Sequence, residues 1–270
     1  MSKISDRPAP LILAIDTATR AGSVALVRAG EVLALQRGDS EASHSIDLIA
    51  NVESCLDVMG AKLVDVDLFA AASGPGSFTG LRIGLATVKS FAISVGRMCA
   101  GVPTLAAVAH AAGPSVRTVA LLPAGRGEVF AQLFSAGQEH VRPLDEATHI
   151  RPEALMDKYG GIETLAWAGE GAHLYVETLR AGAEVRKVRF MDRTDADEAT
   201  ANSEHRTNSE WILVPRRAEL AVAIAALALD DYNHGRAVSP EALRAIYVRP
   251  SDAEINEQWQ TEKSQRSVSL

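Results

Sequence analysis

Ser73-Gly74-Pro75-Gly76-Ser77-Phe78-Thr79-Gly80-Leu81-Arg82-Ile83-Gly84 is the stretch on which the reading of this chain turns. It follows the short apolar run Phe69–Ala72 and leads into a helical pattern from Leu81 to Val95, so it reads as strand, glycine-rich turn and helix entry. Glycines and a proline packed this closely imply unusual φ values and leave room for another group to approach the backbone. Thr79 is placed to cap the helix, which would leave free N–H groups facing the turn. Such a turn can cradle a phosphate, or it can pack against a neighbouring element. Neither G-x-x-x-x-G-K-[ST] nor G-x-G-x-x-G occurs here, so neither nucleotide fingerprint supports the first option.

Upstream, Leu11–Ile15 is an apolar strand that ends in Asp16-Thr17-Ala18-Thr19. Two further strands, Ser23–Arg28 and Val32–Gln36, follow across the short turn Ala29-Gly30-Glu31. A carboxylate and hydroxyls at the end of a buried strand belong either to a ligand-facing sheet edge or to a self-satisfied turn. From His44 to Met59 the apolar residues Leu48, Ile49, Val52, Cys55, Leu56 and Met59 recur at helical spacing, and Gly60 is a natural stop. In the helix after the turn, Leu81, Leu85, Val88, Ala92 and Val95 alternate steps of four and three, as in a helix–helix seam. Gly84, Ala86, Thr87, Ser90 and Ser94 keep its other sides small. The seam serves either packing within the chain or a partner.

Gly113-Pro114-Ser115 marks a break. Beyond it come strands at Thr118–Pro123 and Glu128–Phe134, a third near Val141, a short helix at Pro152–Lys158, a strand at Thr164–Ala168 and a helix at Gly171–Arg180. Both halves thus read as three strands, helix, strand, helix. This internal duplication predicts two similar α/β subdomains, 11–113 and 114–250, each with a mixed sheet, facing a cleft that suits a ligand. Phe190–Ile212 is polar and acidic, and the stretch 190–212 reads as a mobile loop. Arg217–Asp231 is a strongly apolar helix expected on the second half. Ala245–Val248 reads as a strand-like return, and 251–270 as a polar tail.

At 270 residues, 47% hydrophobic and 23% charged, the chain has the balance of a globular protein, and its net charge of −7 argues against a general nucleic-acid binder. Cys55 and Cys99 stand in apolar surroundings and read as buried thiols in a reducing, cytoplasmic compartment. Met1–Pro10 is polar and carries no apolar leader run. The most apolar windows, Ala86–Ala100 and Ala218–Leu229, read as core helices rather than membrane spans.

Catalytic chemistry is sparse. The seven histidines, His44, His110, His140, His149, His173, His205 and His234, include no pair three or four apart, so a helical metal pair is absent. There is no C-x-x-C and no G-x-S-x-G elbow, and nothing nominates a base for Ser77. Glu128 and Asp16 form only a weak candidate for a carboxylate pair. The residues describe an α/β protein with a nucleotide-sized cleft and no visible catalytic apparatus.

Several stretches together resemble one family. These are Leu13-Ala14-Ile15-Asp16-Thr17-Ala18-Thr19 with Ser23-Val24-Ala25-Leu26, His44-Ser45 with Leu48, the Ser73–Gly84 stretch, Gly101-Val102-Pro103-Thr104-Leu105 and Tyr247-Val248-Arg249-Pro250. They are similar to the TsaB (YeaZ) family, in the glycoprotease-like group of the actin/hexokinase/Hsp70 (ASKHA) superfamily. The likeness is dense from Leu11 to Ala112 and sparse beyond. It implies two duplicated actin-like subdomains and a non-catalytic subunit required for N6-threonylcarbamoyladenosine at position 37 of tRNA. The partner so implied is the catalytic paralogue TsaD, in a heterodimer, acting with the ATPase TsaE. Contact with tRNA would be made only through the complex, with no membrane, and self-association into a homodimer is a further expectation.

TsaD-like proteins carry an H-x-x-x-H metal pair after the equivalent of Val102–Leu105, where this chain offers His110 alone. The resemblance therefore implies no catalytic residue and no metal. It places the partner surface on the helix pair His44–Met59 and Leu81–Val95, through His44, Leu48, Val52, Leu81, Leu85, Val88 and Ala92. Asp16, Thr17, Gly74 and Gly76 are the candidates for cofactor contact, with weak nucleotide binding in the cleft and otherwise no cofactor. One departure is Pro123-Ala124-Gly125-Arg126-Gly127-Glu128-Val129-Phe130, where the family has an Asp-Ala-Arg-type start and a tyrosine. The alternative is a stand-alone ATP-dependent phosphotransferase or metallopeptidase of the same superfamily.

Overall fold

The computed structural model describes residues 9–38, 44–137, 140–193, 209–217 and 219–248, without the side chains of 44–46. Its centre is β1 (Leu11–Asp16), buried along its whole length. A strand that is apolar at every position suits a sheet covered on both faces. Leu11, Leu13 and Ile15 point into one apolar cluster, and Ile12 and Ala14 into another.

The first sheet runs β3-β2-β1-β4-β5, built from β2 (Ser23–Arg28), β3 (Glu31–Arg37), β4 (Leu68–Gly74) and β5 (Met98–Pro103). β1 pairs antiparallel with β2 and parallel with β4, and β4 is parallel to β5. The second sheet runs β11-β12-β10-β6-β7-β8, with β9 also on β7. Its strands are β6 (Ser115–Gly125), β7 (Glu128–Ala136), β8 (Val141–Pro143), β9 (Thr148–Ile150), β10 (Thr164–Ala168), β11 (Arg189–Asp192) and β12 (Glu210–Leu213). Here β6 is antiparallel to β7 and parallel to β10, which is parallel to β12. The two sheets repeat one topology, so the duplicated actin-like architecture stands.

With the two sheets the helices make five layers. α1 (His44–Val58) and α2 (Phe78–Val95) cover the outer face of the first sheet, where Leu48, Val52, Cys55, Leu85, Val88 and Ala92 meet Leu11, Leu13 and Phe69. α4 (Ala154–Tyr159), α5 (Glu170–Leu174) and α6 (Val176–Val185) bring Leu155, Ala172 and Leu179 to the outer face of the second, around Trp167 and Trp211. Between the sheets lie α3 (Thr104–Ala111) and α7 (Leu220–Asn233), in a cluster that joins Ile12 and Ala70 to Ala120, Leu122 and Phe134.

Several expectations are corrected. Arg217–Asp231 does not belong with the second half: α7 packs against β1, β2, β4 and β5, and the Ala221 N–H donates to Ser23 Oγ at 3.0 Å. α3 in turn packs against β6 and β7, so each half lends a helix to the other. The window Ala86–Ala100 is not one helix. Gly96 takes the left-handed conformation (φ 66°) and ends α2, and the chain turns into β5. The helix read at Gly171–Arg180 breaks at Tyr175 into α5 and α6. The ends of the acidic segment are strands β11 and β12 in parallel register rather than loop, while 194–208 lies outside the described residues, as does the 251–270 tail. Ala245–Val248 is not a strand. The α2 cap is Ser77, not Thr79: its hydroxyl accepts from the Gly80 N–H at 3.2 Å, which leaves Thr79 exposed.

Candidate functional site

The signature turn sits where β4 hands over to α2. Three glycines spaced by four, Gly76, Gly80 and Gly84, line one side of it. A Cβ at any of them would run into the segment after β1: Ala18 for Gly76, the Thr17 carbonyl for Gly80, the Thr17 hydroxyl for Gly84. The Ser77 N–H donates to the Ala18 carbonyl at 2.9 Å, and the Thr17 hydroxyl donates to the Gly80 carbonyl at 2.7 Å. The glycines therefore let Thr17 and Ala18 nest on the helix, with chain rather than ligand filling the space.

Each residue named for cofactor contact has work inside the chain. Asp16 is 1% exposed; its carboxylate accepts from the Ala18 N–H at 2.8 Å, from the Thr19 N–H at 3.3 Å and from the Thr19 hydroxyl. These are the bonds of a turn in which a side chain satisfies nearby N–H groups. The Gly74 N–H donates to Thr104 Oγ1 at 3.2 Å, at a φ of 117°. A Cβ on Gly74 would overlap the Ile246 carbonyl. Glu128 pairs with His149 at 2.9 Å, within the second half.

Residues 238–248 form a strap across the first sheet. Val238 exchanges two backbone hydrogen bonds with Cys99, each 2.8 Å, at the edge of β5. Leu243, 2% exposed, packs over Gly101, which has no side chain to obstruct it. The Ile246 N–H donates to the Ser73 carbonyl at 2.6 Å. Tyr247 then stacks on Phe78 with ring centroids 5.3 Å apart, and the Arg82 guanidinium lies 3.9 Å from the Phe78 ring. The strap clamps the turn from one side while Thr17 and Ala18 hold it from the other.

The cleft between the halves is lined by Thr19 and Ala21, by Val108, Ala111 and Ala112 of α3, by Gly169 and Glu170, and by Pro215–Arg217. Glu170 and Arg216, both from the second half, pair at its wall at 3.1 Å. Its cavity volume is about 30 Å³, room for a water or two as it stands. Of the residues singled out from sequence, Asp16 reaches this cleft only through Thr19. Thr19 falls in the Asp16–Thr19 stretch but outside the set named for cofactor contact, and no motif marks Glu170 or Arg216; Gly169, at φ 93°, is the nearest local signal. Among the described residues no group of three His, Cys, Asp or Glu side chains gathers as metal ligands.

The residues named for a partner surface are placed otherwise. Leu48, Val52, Leu85, Val88 and Ala92 are in the core under α1 and α2, and Leu81 is in the central cluster. The His44 side chain lies outside the described residues. What the two helices turn outward is a different set: Ile49, Ala50 and Glu53 on α1, and Arg82, Ala86, Ser90 and Ile93 on α2. Ile49 and Ile93 are 46% and 60% exposed, the apolar points of that face. Burial pushes the thiols of Cys55 and Cys99 up to about 11, which leaves both neutral and inert near pH 7.

The family model described as TsaD, tRNA N6-adenosine threonylcarbamoyltransferase, matches residues 38–249. Among curated relatives, the tRNA threonylcarbamoyladenosine biosynthesis protein TsaB of Escherichia coli is 38% identical over 152 residues, 54% of this chain and 65% of that one. The matched stretch thus falls just short of two thirds of that relative. A tRNA N6-adenosine threonylcarbamoyltransferase of Agrobacterium fabrum is 47% identical over 55 residues, 20% of this chain and 15% of that one. Among solved structures, YeaZ from Pseudomonas aeruginosa superposes with a TM-score of 0.66 at 26% identity, over 88% of this chain and 99% of that one. The chain belongs to the tRNA N6-adenosine threonylcarbamoyltransferase (TsaD) family, in its TsaB (YeaZ) group.

Proposed function

We propose that this chain is a non-catalytic subunit needed for N6-threonylcarbamoyladenosine formation on tRNA, and that it works by pairing with a TsaD-type catalytic paralogue. Family membership supplies the pathway. The observation that carries the assignment of role is α3. It follows β5 where the catalytic relatives hold their metal pair, and its one histidine, His110, has Ala106 and Pro114 at the flanking i±4 positions. A lone imidazole there cannot chelate a catalytic ion. The small free volume of the cleft and the internal engagement of Asp16, Thr17, Gly74 and Gly76 point the same way.

The pairing surface is proposed on the outward face of α1 and α2, around Ile49 and Ile93, with the buried Leu85 and Val88 as its support. TsaE, the donor-forming step and tRNA enter through the assembled complex, in the cytoplasm. Reconstitution tests the reading: a mixture of TsaD, TsaE, ATP, threonylcarbamoyl-adenylate and tRNA should modify tRNA only when this chain is added. Equal modification without it would sink the proposal.

A further inference from the structure

The strap ends in a stack whose outer side belongs to none of the packing described above. The Arg82 guanidinium carbon lies 3.9 Å from the centre of the Phe78 ring, Phe78 meets Tyr247 at 5.3 Å with the rings inclined by 39°, and Tyr247 is 49% exposed. A guanidinium held on a ring keeps its N–H fork pointing outward, ready for an oxyanion, at little entropic cost. Arg82 is exposed, and among the described residues no carboxylate pairs with it.

The charge along this stretch of sequence is unusual for this molecule, although Arg97 pairs with Asp67 at 3.6 Å and Lys89 interacts with Glu241. From Leu68 to Gly127 the chain carries Arg82, Lys89, Arg97, Arg117 and Arg126 and no aspartate or glutamate, although its net charge is −7. The signature turn, α2, β5 and α3 all lie in that acid-free stretch. A half-exposed aromatic ring beside an exposed arginine that no carboxylate among the described residues pairs with matches one chemical unit: a nucleobase with its phosphate.

From this juxtaposition we infer that Tyr247, Phe78 and Arg82 form a docking platform for one unpaired nucleotide of the RNA substrate, the base stacking on Tyr247 and the phosphate meeting Arg82. The inference rests on the function proposed above and adds a direct RNA contact by this subunit within the complex: Arg82 lies about three turns of α2 from Ile93, at the end of the helix away from the centre of the proposed pairing face. Anion recognition thereby moves from the glycine backbone of the turn, which Thr17 and Ala18 fill, to the side chains at its helical end.

The test uses the chain assembled with its TsaD-type partner and a fluorescein-labelled anticodon stem–loop RNA, read by anisotropy. Arg82→Glu and Tyr247→Ser should each weaken binding about tenfold, and Tyr247→Phe should stay within about twofold, since stacking needs the ring and not the hydroxyl. Arg82→Ala should lower the slope of log K against log salt by about one. All these positions are exposed, and unchanged thermal unfolding will show that the variants fold. Unaltered RNA affinity in Arg82→Glu and Tyr247→Ser overturns the platform, as does failure of the wild-type assembly to bind the RNA. Loss of partner association with RNA affinity intact makes the patch a protein contact and also overturns it. The wider function fails separately, by tRNA modification that proceeds without the chain.

Discussion

The hydroxyl of Thr17 donates to the carbonyl oxygen of Gly80 at 2.7 Å, joining the end of the first strand to the first turn of α2 across 63 residues of sequence. Around this bond the glycines of α2 act by lacking a side chain, and that makes an unusual sign test available. Alanine in place of a helical glycine ordinarily stabilises by about 1 kcal/mol. At Gly80 the added Cβ overlaps the Thr17 carbonyl, and overpacking of this kind costs about 1–3 kcal/mol or more. Gly80→Ala should therefore lower the denaturant midpoint, and Thr17→Val should cost about 1 kcal/mol through the lost hydrogen bond. Gly161→Ala, at a site with open space, should stay within about 0.5 kcal/mol. A more stable Gly80→Ala variant would show that Thr17 does not nest there.

The two faces of α2 separate stability from association. Val88 is 0% exposed, so Val88→Asp places a charge in the core and should cost about 3–5 kcal/mol, seen as loss of the folded protein. Ile93 is 60% exposed, and Ile93→Asp should leave stability within about 0.5 kcal/mol while weakening association with the TsaD-type partner at least tenfold by calorimetry. If Ile93→Asp and Ile49→Asp both bind the partner like wild type, the pairing face is elsewhere.

The thiols set a pH dependence. Burial raises Cys55 and Cys99 from 9.0 to about 11, so the folded state favours the protonated form. Their contribution to stability is fully present below the unfolded value, and it is lost as pH climbs from about 9 through about 11. Unfolding midpoints should fall over that window, and less steeply in Cys99→Ala. In the native state at pH 8 both thiols should react with a disulfide reagent only at the rate of opening; labelling at the rate of a free thiol would mean that they are not buried.

The helix exchange bears on autonomy. Without α7, one face of the first sheet, with Ile12, Ala14, Ala25, Ala70 and Ala72, has no cover. A fragment of residues 1–113 should bind a hydrophobic dye and unfold without a cooperative transition. A sharp thermal transition in that fragment would show that the half is an independent unit.

The duplicated architecture could be read from sequence because its parts are local: alternating strands, turn residues and one break at Gly113-Pro114. The exchange of α3 and α7 could not, since a helix with Leu220, Ala221, Ala223, Ile224, Ala225 and Ala228 all buried announces only that it is enclosed, not by what. The same ambiguity governs the α2 seam. Steps of four and three at Leu81, Leu85, Val88 and Ala92 serve equally well against a sheet or a partner helix, and here the sheet takes them. The glycine turn posed a similar choice, and only the position of Thr17 and Ala18, far away in sequence, decides it. Tyr247 is the instructive case: its motif is visible in the sequence, but its stacking on Phe78 depends on a strap that runs from β5 to the end of β4.

That strap has a consequence for biosynthesis. β1 emerges from the ribosome well before α7 and residues 238–248, which cover its sheet and clamp the signature turn. At about 5–20 residues per second, on the order of ten seconds separate the end of the first half from the arrival of its missing pieces. During that interval the nascent chain holds an uncovered apolar sheet face, the state in which a chaperone would find it. Helices α1 and α2 gain their contact with the cluster around Leu243 only after residues 238–248 have been made, long after the helices themselves.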